Sequence, residues 1–101
     1  MQKEALEKML AQGQDNALLR YTLGSIHLKE KDYPVAAAHL QRALEQDEQH
    51  SASWKLYGKA LTELGRSDEA KAAYDKGIAV AKAKGDVQAV KEMQVFRKRL
   101  D

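Results

Sequence analysis

Cysteine is missing from all 101 residues, so disulfides, thiolate metal sites and a cysteine nucleophile are excluded, and a reducing compartment is the fitting one. Proline occurs once, phenylalanine once, and β-branched residues are few. A chain this poor in strand and turn formers, and filled instead with alanine, leucine, lysine, glutamate and glutamine, is expected to be all-α. No run of about 18 apolar residues could cross a bilayer, and the opening MQKEALEKML lacks the apolar core of a signal peptide. A cytoplasmic location without a membrane partner is the expectation. A surplus of one charge is lacking too: 17 basic and 15 acidic residues leave a net charge of +2, which gives no general reason to expect nucleic acid or an anionic surface as partner. The length allows one small domain, whose core is marginal unless its packing is regular.

Punctuation, by contrast, recurs at even intervals. QGQDN (12–16), KEKDYP (29–34), EQDEQHS (45–51), LGRSD (64–68) and AKGD (83–86) are polar, turn-forming or capping stretches between apolar periodic segments. They predict six helices, near residues 2–12, 17–30, 34–46, 51–64, 68–83 and 86–100. Asn16 and Ser51 are expected as N-caps, Pro34 sits in a first turn where its missing N–H costs little, and Asp68 and Glu69 suit the positive end of the helix they begin.

The stretch WKLYGKAL (54–61) places Gly58 inside a strong helical pattern, at a cost of about 1 kcal/mol relative to alanine. Close approach of a neighbouring backbone would explain it. A shift of the chain by 34 residues puts Gly24 on Gly58, Leu23 on Tyr57, Ala36 on Ala70, Ala38 on Ala72, Leu40 on Tyr74, Ala43 on Gly77 and Leu44 on Ile78. The same shift relates Leu6, Met9 and Leu10 to Leu40, Ala43 and Leu44, so the first helix reads as the second half of an incomplete preceding unit. The repeat is a helix pair.

WKLYGKAL followed by LGRSDEAKAAYDKGI resembles a tetratricopeptide repeat, a 34-residue helix–turn–helix unit marked by Trp, Leu-Gly, and small and aromatic residues on its second helix. The resemblance implies a right-handed helical solenoid. It divides the chain into a partial repeat (2–16), repeat 1 (17–50), repeat 2 (51–84) and a C-terminal capping helix (85–101), the cap being what a solenoid end needs to cover its stacking face. The signature positions are Leu23, Gly24, Ala36, Leu40 and Ala43 in the first unit and Trp54, Tyr57, Gly58, Ala70, Tyr74 and Gly77 in the second. The first unit departs from the pattern with Arg20 in place of Trp, His27 in place of Tyr and Glu48 in place of a closing Pro. Gly24 and Gly58 are then expected where the paired helices cross, with Ala36 and Ala70 as the small residues facing them.

Chemistry-bearing motifs are scarce. His27, His39 and His50 are spaced so that no two share one helix face a turn or two apart, and no nearby carboxylate completes a metal motif. A phosphate loop, a nucleophile elbow and a paired-carboxylate motif are all absent from the sequence, so no catalytic role, cofactor or metal is expected. Trp54 reads as a packing residue, with ligand stacking as its alternative. Arg97–Arg99 reads as a solvated face, with a nucleic-acid contact as its alternative.

What the resemblance implies about function is binding of a peptide or partner segment in a concave groove lined by the first helices. The residues expected to face it are Leu18, Tyr21, Thr22, Ser25 and Lys29 in repeat 1 and Ala52, Lys55, Leu56, Lys59 and Glu63 in repeat 2. Val90, Met93 and Arg97 are expected to join them from the last helix, unless the AKAKGD junction lengthens the helix before it. Lys55 and Lys59, one turn apart, suit an acidic or carboxylate-ended segment with an apolar anchor. Chaperone-binding members hold a C-terminal carboxylate with Lys, Asn and Arg, and the corresponding places here hold Tyr21, Ser25, Leu56, Asp86 and Val90, which argues against such tails as the ligand. A protein–protein adaptor, a self-assembling homo-oligomeric module and, more remotely, an RNA-binding helical repeat are the function classes left open.

Overall fold

Helix capping and turn chemistry divide the chain where the polar stretches fall. The computed structural model describes residues 2–101, and in it the helices are α1 (Gln2–Ala11), α2 (Ala17–Lys29), α3 (Tyr33–Gln46), α4 (Ser51–Glu63), α5 (Ser67–Lys84) and α6 (Val87–Lys98). Asn16 caps α2, its side chain accepting from the Leu19 N–H at 2.9 Å. Pro34 lies in the first turn of α3, and Asp68 and Glu69 lie in the first turn of α5. Ser51 is not a cap. It begins α4, and the N-cap is His50, whose Nδ1 stands 2.6 Å from Ser53 Oγ. The imidazole reaches the first turn where a serine hydroxyl was expected.

Two of the turns have the same build. Gly65 has φ 75°, and Lys31, its counterpart one repeat earlier, has φ 62°. The next residue closes both turns alike: Asp32 N–H donates to His27 O and Arg66 N–H donates to Leu61 O, each at 2.9 Å. The left-handed region suits glycine and strains a side chain, so the first unit holds with lysine a geometry the second reaches with glycine.

Packing follows chain order. Each helix packs on its sequence neighbours, and beyond these α2 touches α4 and α4 touches α6, whereas among the described residues no such contact links α1, α3 and α5. Helices α2, α4 and α6 therefore form the inner row and α1, α3 and α5 the splayed outer row, which makes the inner side concave. The core is correspondingly strung out along a molecule of 39 × 28 × 20 Å. One cluster holds Ala36, Ala37 and Ala60, the next Leu61, Ala70 and Ala73, and the last Tyr74, Ala81 and Met93. Leu23, Leu40 and Ala43 are also fully buried. Helix α1 contributes no fully buried residue.

Gly58 is needed for a side chain rather than for a backbone. A Cβ there would stand 2.5 Å from Tyr74 Cε1, and one on Gly24 would stand 2.6 Å from Leu40 Cγ. Ala36 faces Gly24, its carbonyl oxygen 3.4 Å from such a Cβ, while the atoms nearest the two notches belong to Leu40 and Tyr74. Ala36 and Ala70 lie buried in the core clusters, one turn before the larger residue that reaches into the glycine gap. Trp54 packs against the Leu61–Ala70–Ala73 cluster and donates from Nε1 to Glu48 O at 2.8 Å, so packing accounts for it.

Candidate functional site

The concave side is the surface that the inner helices offer in common. Among the residues expected there, Leu18 is 69% exposed. Thr22 donates its hydroxyl to Leu18 O at 2.8 Å, and Tyr21 sets its ring edge-on to His50 with centroids 4.8 Å apart. Ser25 and Leu56 are half-buried. Lys29, Lys59 and Glu63 come together around an open pocket of about 500 Å³, with Leu28, Tyr33, Thr62, Tyr74, Phe96, Arg99 and Leu100. Ala52 and Lys55 line a separate depression of about 140 Å³ near the other end of α4, with Ser51, Asp86, Gln88, Ala89 and Glu92.

Lys55 and Lys59 thus do not act as one basic face. Lys55 Nζ lies 3.2 Å from Glu92 Oε1, which takes up its charge. Lys59 Nζ lies 4.7 Å from the centroid of the Phe96 ring, and Arg99 Cζ lies 5.6 Å from the same centroid, within cation–π reach. Burial pushes the Tyr74 phenol above its ordinary pKa, against the Thr62 side chain that lowers it, so the hydroxyl behind this wall stays neutral at physiological pH.

Helix α6 presents other residues than those expected. Met93 is fully buried and packs with Tyr74 and Ala81, with Val90 against the same cluster, and Arg97 Nε reaches Asp75 Oδ1 on α5 at 3.0 Å. The reason is register. Helix α5 runs on to Lys84, and α6 starts at Val87, two residues later than a strict repeat would place it, which turns its faces by about 200°. Glu92, Phe96 and Arg99 take the inner positions. Their spacing of four and three residues was visible on the sequence, but the turn at Gly85–Asp86 decides which stripe faces inward. Asp86 itself caps α6, with Oδ1 accepting from the Ala89 N–H at 3.1 Å. Asp86 and Val90, two of the places that correspond to the carboxylate clamp, are therefore engaged in holding α6.

The histidines meet through tertiary contact, which their spacing along the chain does not reveal. His27 and His39 stack with centroids 5.5 Å apart. Arg20 Nη1 lies 3.2 Å from His39 Nδ1; a guanidinium only donates, so Nδ1 accepts and the ring carries its proton on Nε2. Burial first, then the charge of Arg20, lowers the His39 pKa from its ordinary value. His27 is 6% exposed with neither ring nitrogen hydrogen-bonded, and carboxylate oxygens of Asp32, Glu7 and Glu30 stand 3.6, 3.7 and 4.0 Å from it. Among the described residues no group of three or more His, Asp or Glu side chains could hold a metal ion.

Comparison with known proteins points one way. The tetratricopeptide repeat family model matches residues 27–93. A TPR repeat-containing protein of Pseudomonas aeruginosa is 52% identical over 101 residues, covering 100% of this chain and 96% of its own length. The solution structure of a Bordetella parapertussis protein is similar with a TM-score of 0.84 at 46% identity, over 97% of this chain and 85% of that one. The second TPR domain of human RPAP3, solved in complex with the HSP70 peptide SGPTIEEVD, is similar with a TM-score of 0.79 at 27% identity, over 94% of this chain and 78% of that one.

Proposed function

The chain belongs to the tetratricopeptide repeat family, and from that premise we propose that it is a non-catalytic adaptor that holds a segment of a partner protein against the concave row of α2, α4 and α6. Proteins of this architecture mediate protein–protein contacts, and the RPAP3 domain holds a short peptide. The observation that carries the reading is the open pocket of about 500 Å³ where the inner helices converge, which combines aromatic and aliphatic walls with charged side chains. Such a surface gives a partner both an apolar anchor site and directional polar contacts. The places that correspond to the chaperone-tail clamp hold Tyr21, Ser25, Leu56, Asp86 and Val90, so the ligand is a segment other than a chaperone tail. A cytoplasmic site of action fits the cysteine-free composition.

Affinity capture from the source cell tests the reading with two variants of equal thermal stability. Thr22→Arg with Ser25→Arg obstructs the inner row; Ala38→Arg with Ala72→Arg alters exposed positions on the outer helices α3 and α5. A partner retained by wild type and by the outer variant, and lost from the inner one, is the expected result. Loss from the outer variant alone would move the site to the convex side. Self-association is the competing reading, favoured by the 69% exposure of Leu18. Sedimentation over a hundredfold concentration range separates it, since an adaptor stays monomeric.

A further inference from the structure

We propose that the pocket at the carboxyl-terminal side of the inner row seats an apolar side chain of the partner, flanked along the partner's chain by aspartate or glutamate side chains; this rests on the adaptor reading above. Lys29, Lys59 and Arg99 line the pocket, and among the described residues none of the three has a carboxylate within salt-bridge distance. Two other cations of α4 and α6 are paired within the fold, Lys55 by Glu92 and Arg97 by Asp75 and Asp101. Lys59 and Arg99 both approach the single Phe96 ring, so two like charges are held near each other. Glu63 is the one carboxylate that lines the pocket, which leaves three cations facing one anion.

The bland account of such lysines and arginines is the helix dipole, which favours cations in a last turn. It covers Lys29 and Arg99, at the ends of α2 and α6, but not Lys59, which lies in the body of α4. An external anion satisfies all three. The pocket walls are apolar, so a wholly polar acid would leave Leu28, Tyr74, Phe96 and Leu100 unused, while an uncharged apolar segment would strip water from the cations without replacing it. The cations also sit on three different helices, a spread that suits carboxylates spaced along a segment better than one terminal carboxylate.

The probe is a set of three end-capped peptides that share a Leu-Phe anchor and differ only in flanking Glu, Gln or Lys, titrated into the full chain at low salt with amide chemical shifts as readout. The expected result is that the Glu peptide binds about tenfold more tightly than the Gln peptide. Its shifts should centre on Lys29, Lys59, Thr62 and Phe96, and the gap should close at high salt. Lys59→Gln with Arg99→Gln, which leaves the pocket walls intact, should bring the Glu peptide to the affinity of the Gln peptide. Equal affinity for all three peptides at this pocket would overturn the acidic specificity and leave the adaptor reading standing. Shifts confined to Ala52 and Lys55 would overturn the pocket while keeping the concave face. Tighter binding of an oligouridine probe at the same residues would overturn a protein partner altogether.

Discussion

Gly58 and Tyr74 fit closely, because a single added methyl would stand 2.5 Å from the tyrosine ring. In a free helix Gly→Ala gains about 1 kcal/mol. Here overpacking, at about 1–3 kcal/mol, wins, so Gly58→Ala is expected to lower the thermal midpoint by several degrees, and Gly58→Leu by more. The decisive check is a double-mutant cycle. With Tyr74→Ala as background, adding Gly58→Ala should raise the midpoint; if it lowers it still, the notch is not what requires the glycine. The glycine and the large apolar residue sixteen positions on were both legible from the 34-residue shift. Their contact was not, since the shift pairs equivalent residues of successive units and says nothing about which ones touch.

At the scale of the element, the two helix-pair turns pose the same backbone problem and meet it with different residues. Lys31 holds φ 62° where Gly65 holds φ 75°, and a non-glycine residue in that region carries a strain of about 1 kcal/mol. Lys31→Gly is therefore expected to stabilise the chain by up to about 1 kcal/mol, or roughly 4–8 °C for a domain of this size, despite the greater freedom glycine has when unfolded. Gly65→Lys should cost a similar amount. Thermal melts of the two variants and their combination decide it, and a drop for Lys31→Gly would show that its side chain contributes more than its backbone strain removes. Helix positions themselves were readable within two residues from caps and polar breaks. The facing of α6 was not, because two extra residues at a turn leave hydrophobic periodicity unchanged while rotating every face.

The whole molecule carries a pH dependence that comes from contacts between helices. The His39 pKa is lowered, chiefly by burial, so on acidification the unfolded chain takes up this proton before the folded one does. The contribution to stability is complete above the ordinary value of about 6.5 and is lost as pH falls through it. Titratable groups around the ring are Arg20 and His27 on α2, which lower it further, and Glu7 and Asp15, which raise it. Denaturant unfolding should therefore give a lower midpoint at pH 5.5 than at pH 7.5, and His39→Gln should flatten part of that difference; an unchanged slope would assign it to other groups. At lower pH a second loss is expected. Arg20 and Gln46 hold the Asp15 carboxyl well below the usual carboxylate range, so its contribution disappears as pH drops below about 4. Asp15 ties the turn after α1 to α2 and α3, and acid should loosen that end of the array first.

By itself the sequence determined the all-helical class, the number of helices, the repeat length and the family, because each depends on local propensity or on periodicity, and both are written along one dimension. It also named Lys29, Lys59 and Glu63 as residues of one face. Only the tertiary structure decided that Lys55 is neutralised by Glu92, that Phe96 and Arg99 complete the pocket, that Met93 and Arg97 turn away from it, and that His27 and His39 stack. These are relations between helices, set by how far each is rotated when it packs. A rotation of that kind follows from the length of a turn and the depth of a notch, neither of which has a period to read.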